Sequence, residues 1–231
     1  MQRGNLSLRV KRPEKTLREL TLEQMRNAII DGHFKPNERL VERDLCEQLG
    51  VSRTIVREVL RHLESEGLVA TGLTRGPVVA QTTTKQAMQI YEIRGVLEGL
   101  AAKACAEGDR EAIAGALQAV LDRILAGYAK RKMDAVLKET AEFYRLLFAG
   151  AEHDVAWDIV CSLTARITRL RAMTIRSPGR SEEGPAQMQR IVDAIRAGKG
   201  DEAYQAAQAH IGIASSIARR LLEEAAGDRG I

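Results

Sequence analysis

The residues best placed to do chemistry in this sequence are arginines, and the chemistry they suggest is recognition. Arg53, Thr54 and Arg57 cluster at the start of one predicted helix, with Arg61 a turn further on. A guanidinium presents a planar fork of donors that bridges O6 and N7 of guanine or clamps a phosphate. Taken alone, the cluster reads equally as an ordinary solvated helix face. Catalytic signatures are missing: there is no Gly-x-Ser-x-Gly, no phosphate-binding glycine loop, no His-Glu-x-x-His and no Ser/Lys arrangement. The chain is therefore not expected to be an enzyme. Its three cysteines, Cys46, Cys105 and Cys161, lie far apart and form no Cys-x-x-Cys. That argues against both a disulfide framework and a zinc knuckle, and for a reducing cytoplasm.

The arginines are positioned by a short series of elements. Leu20 to Ile30 reads as a helix ended by Asp31-Gly32, and Pro36-Asn37 makes a turn. A second helix spans about Glu42 to Leu49 and is stopped by Gly50. Ser52 is placed to cap a third helix that continues to about Glu66. Val56, Leu60 and Leu63 give that helix an apolar face opposite the arginines. Two short strands follow, Gly67–Thr71 and Pro77–Ala80, with Arg75 and Gly76 near the hairpin tip between them. Two helices joined by a glycine turn make a helix-turn-helix, whose second helix enters the major groove N-terminal end first. A hairpin directly after it is a wing that reaches the minor groove or backbone. This constellation outweighs the solvated-face reading of the arginines.

Composition supports helix packing throughout. Of 231 residues, 45% are hydrophobic and only 3% aromatic, so the cores must be built from aliphatic side chains. Such a balance disfavours a β-sandwich. The net charge of +4 is mild, but the first 18 residues carry Arg3, Arg9, Lys11, Arg12, Lys15 and Arg18 against Glu14 alone. This basic arm can supply phosphate contacts or be a solvated tail. It has no apolar stretch behind it and is not read as a secretory signal. No apolar run is expected to cross a bilayer. The polar stretch Gln81–Thr84 marks a boundary, giving an arm over 1–18, a winged helix-turn-helix over 19–81 and an all-α domain over 82–231. In the last, helices are predicted over Lys85–Glu107, Arg110–Lys130, Met133–Ala149, Val155–Ile175, Ser181–Ala197 and Asp201–Ala225. A bundle of this length can enclose a ligand cavity. In it, Arg94 can clamp a carboxylate or pair with Glu98 one turn away. The series Arg166, Arg169, Arg171, Arg176 and Arg180 reads as a solvated or interface face, with Arg169 free to turn inward toward an anion.

The runs Pro36–Leu45, Leu49–Leu60, Leu63–Val69 and Arg75–Ala80 resemble the GntR family of regulators. The resemblance implies that Arg43, Arg53 and Arg57 contact DNA, helped by Ser52, Thr54, Arg75 and Gly76. Asn37 stands where glycine is usual, and asparagine tolerates the same turn conformation. Ile55 stands where proline is common, at a helix start where either is allowed. Beyond residue 85, Tyr91–Glu98, Phe143, Ile191–Gly198, Ala203 and His210 resemble the FCD-type effector domain of the FadR branch. That resemblance implies a homodimer on a palindromic operator, with a small effector, often a carboxylate, inside each bundle. Many such domains hold a divalent metal on one Asp and three His. Here the matching positions are Thr140, Tyr144, Met188 and His210, a poor donor set for zinc, nickel or manganese, so neither metal nor other cofactor is expected. Thr140, Tyr144, Met188 and His210, with Arg94 and Arg169, are the candidate ligand contacts, although His210 and Tyr144 can equally be satisfied core residues. The implied function is a metabolite-responsive repressor. The alternative is a repressor or architectural DNA-binding protein with no ligand.

Overall fold

Thr16 opens the first helix, α1 (Leu17–Ile30), with a reciprocal cap. Its hydroxyl accepts from the Glu19 backbone N–H, and the Glu19 carboxylate accepts from the Thr16 N–H. That cap starts the helix three residues before the expected Leu20, inside the segment assigned to a basic arm. The structure, a computed structural model, describes residues 15–72 and 76–227. The arm positions Arg3, Arg9, Lys11 and Arg12 and the wing residue Arg75 lie outside the described residues. Gly50, in the left-handed conformation at φ +64°, ends α2 (Glu42–Leu49), and Ser52 caps α3 (Arg53–Ser65) as expected. Asn37 does adopt the left-handed conformation, at φ +67°. Its backbone N–H donates to the Val79 carbonyl and so ties the turn to the wing.

Strands β1 (Val69–Gly72) and β2 (Gly76–Val79) pair antiparallel, with Val69 opposite Val79 and Gly72 opposite Gly76. A single bridge from Arg39 to Val78 adds the α1–α2 connection to the same sheet edge. Beneath it Met25, Ile29, Leu45, Val56, Leu63 and Val79 are buried together. This core leaves the outer face of α3 to solvent.

The bundle comprises α4 (Thr84–Glu107), α5 (Arg110–Ala129), α6 (Met133–Gly150), α7 (Asp154–Ser162), α8 (Thr164–Thr174), α9 (Arg180–Arg196) and α10 (Gly200–Gly227). Thr83 and Gln86 form a second reciprocal cap at the start of α4. Gly99 lets α10 approach α4 closely, since a Cβ there would lie 2.8 Å from the Tyr204 ring. Two expectations need correction. The helix predicted over Val155–Ile175 is broken at Leu163 into α7 and α8. Also, α5 is long and apolar enough to cross a bilayer by length and composition alone. Its Leu117, Val120, Leu121 and Ile124 are buried in the bundle core, so packing accounts for part of that apolarity.

Helix α8 has two working faces. At 100° per residue, Ala165, Arg166 and Arg169 share one side, while Ile167, Leu170, Arg171 and Thr174 share the other. Ala165 is buried in the core of the winged head. The Arg169 Nη1 donates to the Ala80 carbonyl at 2.7 Å. The Arg166 guanidinium covers Gly67, which has φ +69°. Ile167 and Leu170 are buried in the bundle core. One helix therefore belongs to both cores.

A Cβ added at Gly67 would collide with the Arg166 guanidinium, whereas one at Gly50 meets open space. Either alanine is forced into a left-handed conformation costing about 1–2 kcal/mol. In urea melts, Arg166→Ala should lose its effect when placed on Gly67→Ala, and should add to Gly50→Ala. Simple additivity in both pairs would show that Arg166 does not dock on Gly67.

Candidate functional site

The outer face of α3 carries the first site. Side chains of Arg53 and Arg57 are more than half exposed, and Arg43 is three-quarters exposed. Glu42 on α2 serves both α3 arginines. Its carboxylate accepts from Arg57 Nε at 2.9 Å and lies 3.9 Å from Arg53 Nε. The hydrogen bond and charge of Glu42 raise the Arg57 pKa above its already high value, so this cation is permanent. Thr54 is exposed beside them. The Ser52 hydroxyl accepts from the Ile55 N–H at 3.4 Å as the helix cap, which leaves its own proton to donate elsewhere. Glu42, Arg57, Arg61, Thr71 and Pro77 line an open groove between α3 and the wing. Gly76, at φ +68°, begins β2 beside that groove. The arginines are thus presented outward from a compact three-helix head.

The second site is a cavity of about 30 Å³ inside the bundle. Arg94 from α4, Thr140 and Tyr144 from α6, Arg171 from α8, Arg180 and Met188 from α9, and His210 from α10 all line it. Of the two roles expected of Arg94, the structure shows the pairing with Glu98. Its Nε donates to Glu98 at 2.8 Å, and its guanidinium faces the cavity 5.5 Å from the Tyr91 and Tyr144 ring centroids. The Thr140 hydroxyl donates to the Val136 carbonyl at 2.7 Å. The Tyr91 and Tyr144 hydroxyls are buried and make no well-formed hydrogen bond, although Thr174 is near the first and Glu98 near the second.

His210 is held by a polar relay. Gln187 Oε1 accepts from Arg180 Nη1 at 2.7 Å and lies 3.1 Å from His210 Nδ1. An acceptor at Nδ1 places the ring proton there, so Nε2 is the lone-pair nitrogen facing Arg180 Nη2 at 3.5 Å. Burial, then the charges of Arg180, Arg94 and Arg171, holds the His210 pKa well below its usual value. The ring is neutral at pH 7.

Two readings are corrected here. Arg169 does not reach this cavity; it is on the opposite face of α8, bonded to Ala80. Arg171 and Arg180, assigned to a solvated face, are buried instead. Burial, followed by repulsion from Arg94, lowers Arg171 to about 10. A signal for both was present in the sequence. Arg171 is in phase with Ile167, Leu170 and Thr174, and Arg180 with Gly184, Met188 and Ile191, so each falls on the apolar side of its helix.

Thr140, Tyr144, Met188 and His210 do converge, yet they do not make a metal site. A hydroxyl, a phenol and a thioether with a single imidazole lack the anionic or multiple nitrogen donors a divalent ion needs. Three guanidinium groups around the same space would also repel it. Among the described residues, no group of three or more His, Cys, Asp or Glu is placed to hold a metal.

Residues 17–79 match the profile of bacterial regulatory proteins of the gntR family, and residues 89–212 match the FCD domain. The chain is 26% identical over 202 residues to the HTH-type transcriptional regulator YdhC of Bacillus subtilis, covering 87% of this chain and 90% of that protein. It is 30% identical over 183 residues to the Nta operon transcriptional regulator of Aminobacter aminovorans, covering 79% and 85%. Among solved structures, a putative GntR transcriptional regulator from Rhodococcus sp. RHA1 superposes with a TM-score of 0.71 at 26% identity, covering 86% of this chain and 95% of that one. These relatives are regulators, not enzymes. With an arginine-faced winged helix-turn-helix joined to a helical effector bundle, the chain belongs to the GntR family of DNA-binding transcription regulators and carries an FCD domain.

Proposed function

We propose that this regulator is a metabolite-responsive repressor that releases its operator when a small carboxylate occupies the bundle cavity. The observation that carries this reading is the double membership of α8, whose Arg171 faces the cavity while Ala165, Arg166 and Arg169 hold the head. A ligand that draws on Arg171 changes the position of α8, and with it the seat of the head. Only a ligand with different affinity for the two arrangements shifts their populations. One relative, the HTH-type transcriptional repressor RspR of Escherichia coli, 25% identical over 200 residues, is itself named for repression.

The reading includes a cytoplasmic homodimer. Ile93, Val96 and Leu100 recur along one side of α4, each more than two-fifths exposed, with Ile213 of α10 also exposed. Such a stripe is suited to self-association, and a two-fold dimer is matched by a palindromic operator. In each half-site Arg53, Thr54 and Arg57 read the major groove, with Arg43 and Ser52 on phosphates. The wing, through Arg75 and Gly76, takes the adjacent backbone.

Two experiments test this. Once an operator is recovered by selection from a random duplex pool, Arg57→Ala should weaken binding by about 1–3 kcal/mol at fixed salt. Equal affinity of variant and parent would remove Arg57 from the interface. A thermal-shift screen of organic and sugar acids then supplies an effector, since a ligand of the folded state raises the melting temperature. With it, Arg169→Ala should reduce the coupling between effector and operator by roughly 0.5–2 kcal/mol. Arg57→Ala should instead leave that coupling intact. Parent-like coupling in Arg169→Ala would mean that α8 does not carry the signal.

A further inference from the structure

The bundle cavity has an unbalanced charge. Arg94, Arg171, Arg180, Glu98 and His210 are each more than nine-tenths buried around it. Glu98 is the one buried carboxylate among the described residues, and it is engaged by Arg94. Arg171 has no carboxylate within ion-pair distance among the described residues, and neither does Arg180. Arg180 is bonded to neutral Gln187 and neutral His210. Arg171 faces the Tyr144 ring, 5.0 Å from its centroid, and feels the charge of Glu98 without an ion-pair contact to it. Counting Glu98 as ionised, the three guanidiniums leave the site a net excess of two positive charges.

Buried cations are retained where something pairs with them, because an isolated buried charge is strongly disfavoured. The remaining polar groups point the same way. The Tyr91 and Tyr144 hydroxyls make no well-formed hydrogen bond, with Thr174 near the first and the unsatisfied Glu98 Oε2 near the second. Burial raises both phenol pKa values, so the protons stay on. The cavity therefore offers two cationic poles, Arg94 with Arg171 around Tyr144, and Arg180 beside His210, with phenolic donors between. At about 30 Å³ it has room for roughly two or three water molecules, which limits the occupant to a compact species.

We infer that this cavity binds a small dianion, whose two negative charges are met directly by Arg171 and Arg180, with Arg94 assisting and no divalent metal between. The charges can reside on one tetrahedral centre, as in phosphate, or on the two ends of a short dicarboxylate. The inference rests on the reading of this cavity as the effector site, which it narrows by charge and by mode of binding.

The test is a thermal-shift and calorimetric titration of the full chain in EDTA, at about pH 8 where histidine is unprotonated. Acetate and propionate, malonate and succinate, and inorganic phosphate are compared at constant ionic strength. At least one dianion should bind about tenfold or more tightly than either monocarboxylate, with EDTA making no difference. A response to phosphate alone assigns the single-centre form, and a response to malonate or succinate assigns the two-ended form. Arg171→Met and Arg180→Met should each abolish the preference for dianions. Either substitution removes an uncompensated buried charge, so the unliganded melting temperature of each variant should hold or rise, which separates lost recognition from lost folding.

Monocarboxylates binding as tightly as dianions would overturn the inference. So would binding that requires added zinc or manganese, no response to any probe, or a dianion preference that survives both substitutions. A dianion that binds in this way yet leaves operator affinity unchanged would leave the inference standing and refute the effector reading. An operator response to a neutral or singly charged compound would do the reverse.

Discussion

A guanidinium taken out of water without a counter-ion loses several kcal/mol even after the surrounding protein relaxes, and the effector bundle tolerates that loss at Arg171 and Arg180 together. Much of its interior follows from this constraint. Glu98 is placed one turn from Arg94 and offsets one of the three cations. Gln187 turns its carbonyl oxygen toward both Arg180 and His210 and adds no further charge, while burial and the neighbouring guanidiniums keep the imidazole neutral. The tyrosine rings supply polarisable faces where carboxylates are missing. Arranged in this way, the cations are stable enough to fold around and poor enough in partners to attract one.

The same constraint bears on the contact between bundle and head. Because α8 is short and begins afresh after the break at Leu163, it is separated from α7, whose Trp157 packs against Phe148 of α6. The helix offers its apolar and cationic side to the bundle and its Ala165 side to the head. An event at Arg171 therefore has a rigid path of only about two turns to the Ala80 carbonyl and Gly67. A continuous helix from Val155 would have tied α8 to the bundle wall.

The head was legible because its signals are local. Ser52, Gly50 and Asn37 each specify a backbone conformation by their own chemistry, and the alternation of Val56, Leu60 and Leu63 with Arg53 and Arg57 fixes which face is inside. The start of α1 was missed because its cap, Thr16 with Glu19, lies within a run of charges that reads as a tail. In the bundle, Thr140, Tyr144, Met188 and His210 were brought together as their positions implied. Arg171 and Arg180 were misread because arginine is so rarely buried. The periodicity that places them inside was outweighed by the row of cations around them. Arg169 was placed in the ligand site for the opposite reason, since one residue's difference in helical phase decides which of two cores it joins.

Glu42, which neutralises part of the charge on Arg57 and lies near Arg53, acts as an internal counter-ion on the surface proposed to face the duplex. When those arginines transfer to phosphates, the carboxylate stays behind in the same electric field. Fewer net phosphate charges are cancelled than the number of arginines suggests. The logarithmic dependence of affinity on salt should therefore be shallower, by about 0.9 for each charge so offset. Recognition by this head then leans less on bulk attraction to any duplex and more on the fit of its side chains to one.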